Sequence, residues 1–512
     1  MNINRTFEGD NVPKTTKWLY CSSGMFRDLV YQFVSMFLLM FAQYCGIGQD
    51  ENYVAMYSTI TVIIIILRIW DGFNDPIMGY LIEKSKFRKF GKYRPWIGLG
   101  AILSSIITIL MFWLPVHGWT YVACFAIFYF LWDFTYTIND ISFWSVLPSL
   151  SNKEKVRANL TTLLSVFVSI GSFAAGGIVP LLSSSFGYTI SYKYFALIAS
   201  ILYVVSQLIL VIFMKEKKES EVNTLDSEKM KFKEIFTVLG KNDQVRSSII
   251  SILLYYTGSS ILVSLGLNYF YFNFGYSAAG SYQFIFTVIF AVATLLGQAV
   301  YPILINKFKI HRMKIFTITS WIAVICYIAL FVYVFLDPYV FYPLMCLFGF
   351  IVFFCQTIIS LILYINIQDS IEYNEYKFNE RRESAVFSLR AFTAKLGSSI
   401  QQLVLYGALL AGGLLALSNT ISGYEADAIK IFGDKAAQVG QYVGELADQI
   451  TGANNVELWK RVVYQIGFTI VPMLLILACL LVTKFTYKIN EENHAMMVEK
   501  IKERNNKNGT SI

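Results

Sequence analysis

The chain has 512 residues, 56% of them hydrophobic and 16% aromatic, with only 15% charged and a mean hydropathy of +0.53. Soluble domains carry about 25% charged residues, so this composition excludes a soluble globular protein and makes membrane spans the units of architecture. The net charge of +8 invites an anionic partner such as nucleic acid, but the basic residues cluster in loops between apolar runs, which argues for topology instead.

The polar start MNINRTFEGDNVPKTTKW lacks an apolar core followed by a small-residue cleavage site, so it does not read as a cleaved signal peptide; residues 1–24 read as a cytoplasmic segment. A span needs about 20 mostly apolar residues. That ruler predicts about twelve, at 25–47, 53–81, 95–116, 119–147, 158–183, 190–214, 247–274, 281–306, 315–336, 338–367, 385–415 and 460–485. Lys and Arg concentrate after even-numbered spans and at the ends, as in EKSKFRKFGKYRPW (83–96), NKEKVR (152–157), KEKKESE (215–221) and KFKIHRMK (307–314). The positive-inside rule then puts both termini in the cytoplasm. The spans group as an N-terminal six-helix bundle (25–214), a central cytoplasmic loop (215–246), a C-terminal six-helix bundle (247–486) and a tail (487–512). The resulting all-α plan is similar to the major facilitator fold, in which paired bundles hold substrate near the midplane. The long extracellular segment 416–458 has apolar residues at helical spacing and reads as a surface helix, more a structural cap than a gate. The seven cysteines are scattered without metal-ligand spacing and read as small core residues.

Charges interrupt several of these spans. The first carries Arg27 and Asp28. The second carries Arg68, Asp71 and Asp75 on one helix face, with Asn74 beside them. On the fourth, Asp133, Thr137, Asp140 and Trp144 form one stripe, and the eleventh adds Arg390 and Lys395. A charge at the bilayer centre costs at least about 2.5–3.5 kcal/mol, so each needs a reason to be there. One reason is structural neutralisation in buried pairs. The other is chemistry: two acids, an amide and a hydroxyl are hard oxygen ligands that suit a small alkali cation, and intramembrane carboxylates also serve proton paths or sugar hydroxyls.

The stretches RIWDGFNDPIMGYLI, KFRKFGKYRPWI and YTINDISFWSVLPSLSNKEKVR (136–157), with KNDQ (241–244) and DSIEYNEYKFNERRESAVFSLRAFTAKLGS (369–398), resemble the glycoside–pentoside–hexuronide:cation symporter family. The resemblance runs from about residue 18 to 485, apart from 416–458. It implies cation ligands at Asp71 and Asp75 (a possible sodium site), with Asn74 and Thr137 as companions. It implies sugar contacts at Asp28, Asp140 and Trp144, with Lys395 near the cation site and Arg27 in place of a lysine beside the first-helix acid. Arg68 matches an embedded arginine that pairs with acids during transport. Ser165 and Ser360 stand where galactoside-carrying members have a sugar-contacting arginine and a tryptophan, and Ala391 replaces a threonine near the cation site. These departures loosen α-galactoside specificity and weaken the case for sodium. Asp133 is an extra acid two turns before Asp140, open to substrate, proton or pairing with Arg68 or Arg390.

By the same resemblance, Arg88 or Arg94 would gate the transporter by pairing with Asp369, Glu372 or Glu375 of the other half. The basic loop that holds these arginines also reads as a contact for anionic lipid headgroups. The histidines (His117, His311 and His494) fall in loops or tails, so proton coupling would run through carboxylates. No phosphate loop, nucleophile elbow or metal cluster points to an enzyme or an ATP-driven pump, and no cofactor is expected beyond the coupling ion, Na+ or H+ or Li+. The expected protein is a monomeric multi-pass symporter of the cell membrane, importing a sugar or glycoside with a monovalent cation. The rivals are the same fold carrying a lysolipid-like substrate and a non-transporting sugar sensor.

Overall fold

The computed structural model describes residues 6–7, 12–83, 93–150, 154–214, 216–217, 239–264, 266–379, 383–489 and 491–507. Apart from one parallel pair of two-residue strands, β1 (Thr6–Phe7) and β2 (Glu216–Lys217), the described secondary structure is helical. Ten described helices are long and apolar enough to cross a membrane, or twelve when each of two bent pairs counts as one span. In hydrocarbon the helix is the open-ended structure that satisfies every backbone group internally, so long apolar runs leave the chain little else to form.

The helices are α1 (Lys14–Phe41), α2 (Tyr53–Glu83), α3 (Arg94–Trp113), α4 (Gly118–Leu150), α5 (Glu154–Phe186) and α6 (Tyr188–Phe213). After the central loop come α7 (Asp243–Ser264), α8 (Gly266–Phe274), α9 (Tyr276–Asn306), α10 (Arg312–Val332), α11 (Tyr342–Phe378) and α12 (Glu383–Ala411). The last are α13 (Leu414–Phe432), α14 (Ala436–Ala447), α15 (Leu458–Gln465), α16 (Val471–Thr486) and α17 (Glu491–Lys507). Two π-helical turns interrupt the pattern: Ala42–Gly46 continues α1, and Ile466–Ile470 joins α15 to α16.

The expected seventh span, 247–274, is two helices, α7 and α8, bent by 41°. The eleventh ends at Ala411, where the chain turns by 87° into α13. Gly413 takes φ 64° at that turn, a left-handed conformation that an L side chain would strain. The expected surface helix within 416–458 is two helices, nearly all of α13 and all of α14.

The chain divides into two compact units. The first holds Met1–Asp226, Phe270–Thr287 and Gly413–Val456; the second holds Ser227–Tyr269, Val288–Gly412 and Glu457–Ile512. In the first, α1 packs on α5 and α6, α3 on α4 and α6, and α2 on α4. Its core gathers Tyr20 and Cys21 of α1, Ile97 of α3, Phe143 and Val146 of α4, Leu160 and Leu164 of α5, and Leu210 of α6. Tyr20 stacks on Phe143 at 4.5 Å between ring centroids and donates its hydroxyl to the Phe143 carbonyl at 2.8 Å, which gives a buried phenol its partner. Lipid tails are as apolar as leucine, so helix association in a bilayer depends on close backbone approach and interhelical hydrogen bonds. Gly171 of α5 shows the first: a Cβ there would clash with the Met25 carbonyl oxygen of α1. Asn139 of α4 shows the second, donating Nδ2–H to the Ile97 carbonyl of α3 at 2.8 Å. Gly171→Leu is expected to force α1 and α5 apart and lower the thermal unfolding midpoint in detergent by several degrees, since overpacking costs about 1–3 kcal/mol.

In the second unit α7 packs on α11, α12 and α16, and α10 on α11 and α16. Its polar ties include Thr483 Oγ1 to Ser251 Oγ at 2.8 Å and Gln356 Nε2 to the Tyr327 hydroxyl at 2.7 Å.

The first unit is capped by α13 and α14, anchored through buried Glu425. Its carboxylate accepts the backbone N–H of Tyr188 at 2.7 Å, the Tyr276 hydroxyl at 2.9 Å and the Thr189 hydroxyl at 3.3 Å. It therefore sits at the N-terminus of α6, where unpaired amides and the helix dipole favour an anion. Gln43 donates to Ser418 at 2.7 Å and Asn419 Nδ2 to the Asp50 carbonyl at 3.1 Å, adding two further ties. Glu425→Ala is expected to lower thermal stability because each orphaned donor costs about 1–3 kcal/mol, with Glu425→Gln losing less since it keeps an acceptor. Thermal unfolding of the three purified proteins checks this.

Candidate substrate and ion site

Arg27 organises the first cluster. It is 2% exposed, at a depth where a lone guanidinium would be prohibitive, and it is paired twice. Nη2 and Nε bond Asp28 Oδ2 at 2.7 and 3.1 Å, and Nη1 bonds Asp140 Oδ1 at 2.9 Å. One planar fork thereby joins α1 to α4, a task a lysine point charge would do less rigidly. The guanidinium lies 4.6 Å from the Phe143 ring centroid and 5.2 Å from that of Trp144, which adds cation–π attraction from the next turn of α4. Two carboxylates and one guanidinium leave a net negative charge. Asp28 is enclosed, whereas 41% of the Asp140 side chain remains exposed and Trp144 is 38% exposed. An accessible carboxylate beside an accessible indole can accept sugar hydroxyls and stack a pyranose face.

The second set lies on α2 and α4, which pack together. Asp71, Asn74 and Thr137 are buried, and Asp75 is half-buried. Asn74 Nδ2 is enclosed without a hydrogen-bond partner. Arg68 lies among Tyr31, Tyr129 and Asp71 and donates Nη2–H to Ser35 at 3.0 Å. Among the described residues no three His, Cys, Asp or Glu side chains cluster as for a transition metal. The donors on α2 and α4 are instead carboxylate, amide and hydroxyl oxygens, the set an alkali cation takes. Asp133 is on α4, and Ser165 hydrogen-bonds its own helix at Thr161. Lys395 and Arg390 belong to α12 in the second unit.

Of the residues expected to gate, Arg88 lies outside the described residues, and Arg94 is buried at the first position of α3. The acids of α11 have partners within their own unit. Asp369 pairs with Arg312 at 2.7 Å, Glu372 hydrogen-bonds His494 of α17, and Glu375 lies 3.9 Å from Arg504 of α17. Sequence reasoning gave no role to Arg312, His494, Arg504 or Glu425. Arg312 sits in a basic loop read for topology, and the other three fall in segments read as tail or loop.

The MFS/sugar transport protein family model matches residues 25–433. The raffinose carrier protein of Pediococcus pentosaceus is 28% identical over 440 residues, 80% of this chain and 63% of that protein, so the chain spans less than two thirds of it. A lactose permease of Leuconostoc lactis is 26% identical over 67% of this chain and 53% of its own, and the isoprimeverose transporter of Lactiplantibacillus pentosus 24% over 79% and 82%. Among solved structures, a D-xylose–proton symporter superposes with a TM-score of 0.53 at 14% identity, covering 85% of this chain and 96% of that one. A bacterial homologue of the lysosomal transporter Spinster gives 0.53 at 15% identity over 92% and 95%. The chain is a multi-pass membrane protein of the major facilitator fold, and it belongs to the MFS/sugar transport protein family.

Proposed function

We propose that this protein is a secondary active symporter of the cell membrane, with both termini cytoplasmic, importing a sugar or glycoside together with a monovalent cation. The observation that carries the reading is the Arg27 cluster: a guanidinium shared by two acids, one of them open beside an accessible indole. Asp140 accepts cargo hydroxyls, Trp144 stacks on the ring, and Arg27 holds both acids in place. Asp71 and Asp75, with Asn74 and Thr137 as companions, take the coupling ion, sodium or a proton, while Arg68 balances their charge. Ion binding lowers the local negative charge and favours cargo binding, and the coupling is reciprocal at typically 1–3 kcal/mol. Sugars are the cargo of the relatives named raffinose carrier and lactose permease, which supports the substrate class. Uptake of pentosides, hexosides and hexuronides into proteoliposomes, with and without a sodium gradient at fixed pH, tests the reading. Binding without gradient-driven accumulation of any sugar would overturn it.

A further inference from the structure

The cap of α13 and α14, most of which falls outside the family resemblance, bonds to both sequence halves within the first unit. Its ties to the C-terminal half run along the backbone. Gly452 N–H donates to the Tyr271 carbonyl and Ala453 N–H to the Asn273 carbonyl, each at 3.1 Å. The N–H groups of Tyr276 and Ser277 donate to Thr451 Oγ1 and Asp448 Oδ1, also at 3.1 Å. The ties to the N-terminal half run through side chains of the cap. Buried Glu425 accepts from the Tyr188 N–H and the Thr189 hydroxyl of α6, and Gln43 donates to Ser418. Asn419 exchanges two hydrogen bonds with the backbone of Asp50, at 3.1 and 3.2 Å.

A purely structural cap needs one half as its foundation. This one rests on two, and a transporter that admits cargo from this side has to part them there. The chain itself decides which ties hold. The cap is covalently continuous with α12 at one end and α15 at the other, so it travels with the C-terminal half. Its ties to α1, α6 and Asp50 are then the ones that open, and side chains can release without refolding the backbone. The Tyr276 hydroxyl, from the retained side, stays within 2.9 Å of the Glu425 carboxylate and leaves it one donor. Water entering the opening solvates the rest, so release costs only the net worth of these bonds rather than the larger penalty of orphaned groups.

We propose that α13 and α14 form an external gate, carried by the C-terminal half and latched to the N-terminal half through Glu425. The assignment rests on the transport reading with both termini cytoplasmic. Two cysteine pairs test it in proteoliposomes. Asp50→Cys/Asn419→Cys joins the latch side and Ser277→Cys/Asp448→Cys the carried side, each closed by a short, reducible bis-methanethiosulfonate and verified by mass spectrometry of the linked peptides. Joining the latch is expected to cut the flux of labelled lactose and raffinose down their own gradients by more than about 10-fold, because the open state is no longer populated. Reduction restores the flux, which also shows that the protein is folded. Joining the carried side is expected to leave flux within about 2-fold. A second readout needs no cargo. Ser422, buried one turn before Glu425 on α13, is replaced by cysteine and labelled with a membrane-impermeant maleimide. Adding Glu425→Ala is expected to speed that labelling by about 10-fold while buried Cys355 and Cys479 of the second unit stay protected. Undiminished flux with the latch joined, equal inhibition by both pairs, or failure of the 50–419 pair to join would each overturn the gate. So would unchanged labelling in Glu425→Ala, or labelling that rises at Cys355 and Cys479 as well. Neither readout depends on the driving ion, so sugar flux without ion coupling would sink the symport reading and leave the gate standing.

Discussion

Asp75→Cys is expected to abolish uphill accumulation, bringing the internal to external cargo ratio from the value set by the ion gradient to unity, while cargo binding and exchange persist. The reason lies in where the carboxylates sit. Asp71 and Asp75 are one turn apart on α2, and Arg68 one turn below Asp71 shares that neighbourhood. Removing one acid takes away a carboxylate ligand and one negative charge, which weakens the electrostatic demand for a cation beside Arg68. The cluster of Arg27, Asp28 and Asp140, proposed above to hold the cargo, uses other residues and stays intact. Accumulation against counterflow in the same proteoliposomes separates the two. Normal concentrative uptake by Asp75→Cys would remove α2 from the ion pathway.

Arg27→Ala has the largest expected effect on stability. It strands two carboxylates, one of them enclosed, that now share one guanidinium at 2.7 and 2.9 Å. Breaking a buried pair by deleting one partner costs about 3–5 kcal/mol, and here a like-charge repulsion is unmasked as well. The aromatic surface of Phe143 and Trp144 also loses the cation lying over it. Arg27→Lys is expected to fall between, since a point charge cannot hold both acids with one planar fork. Restoring neutrality with Arg27→Ala/Asp28→Asn is expected to recover much of the loss. Thermal unfolding in detergent checks the series, and a single variant as stable as the parent would show that the acids are held by something other than Arg27.

Much of this was legible in the chain. Apolar runs of the right length dictated helices, and charges inside them were visible as costs that needed partners, so Arg27, Asp28, Asp140 and Trp144 could be named before their distances were known. What hydropathy does not encode is direction. The turn at Gly412–Gly413 leaves a run that reads as one helix passing into a loop, and nothing in its composition announces 87°. Partner choice was also hidden: Arg390 could as well have met an acid, but its Nη2 donates to the Tyr364 hydroxyl at 2.6 Å, and tyrosines in apolar spans read as packing. Glu425 was concealed for a third reason. Its donors are two backbone amides and hydroxyls from α6 and α9, distant in sequence, and backbone amides carry no residue signature.

The cap carries a consequence for biogenesis. The first unit is not a contiguous stretch: it needs Tyr276, at the start of α9, and Glu425, on α13, to finish the end of α6. As the ribosome delivers the chain, the first six helices enter the bilayer with the leading amides of α6 still unanswered. The anion that answers them arrives only after the eleventh apolar run has been made. Cutting the gene at the central loop would therefore not separate two self-sufficient halves, because the upstream fragment would lack the segments that seal it.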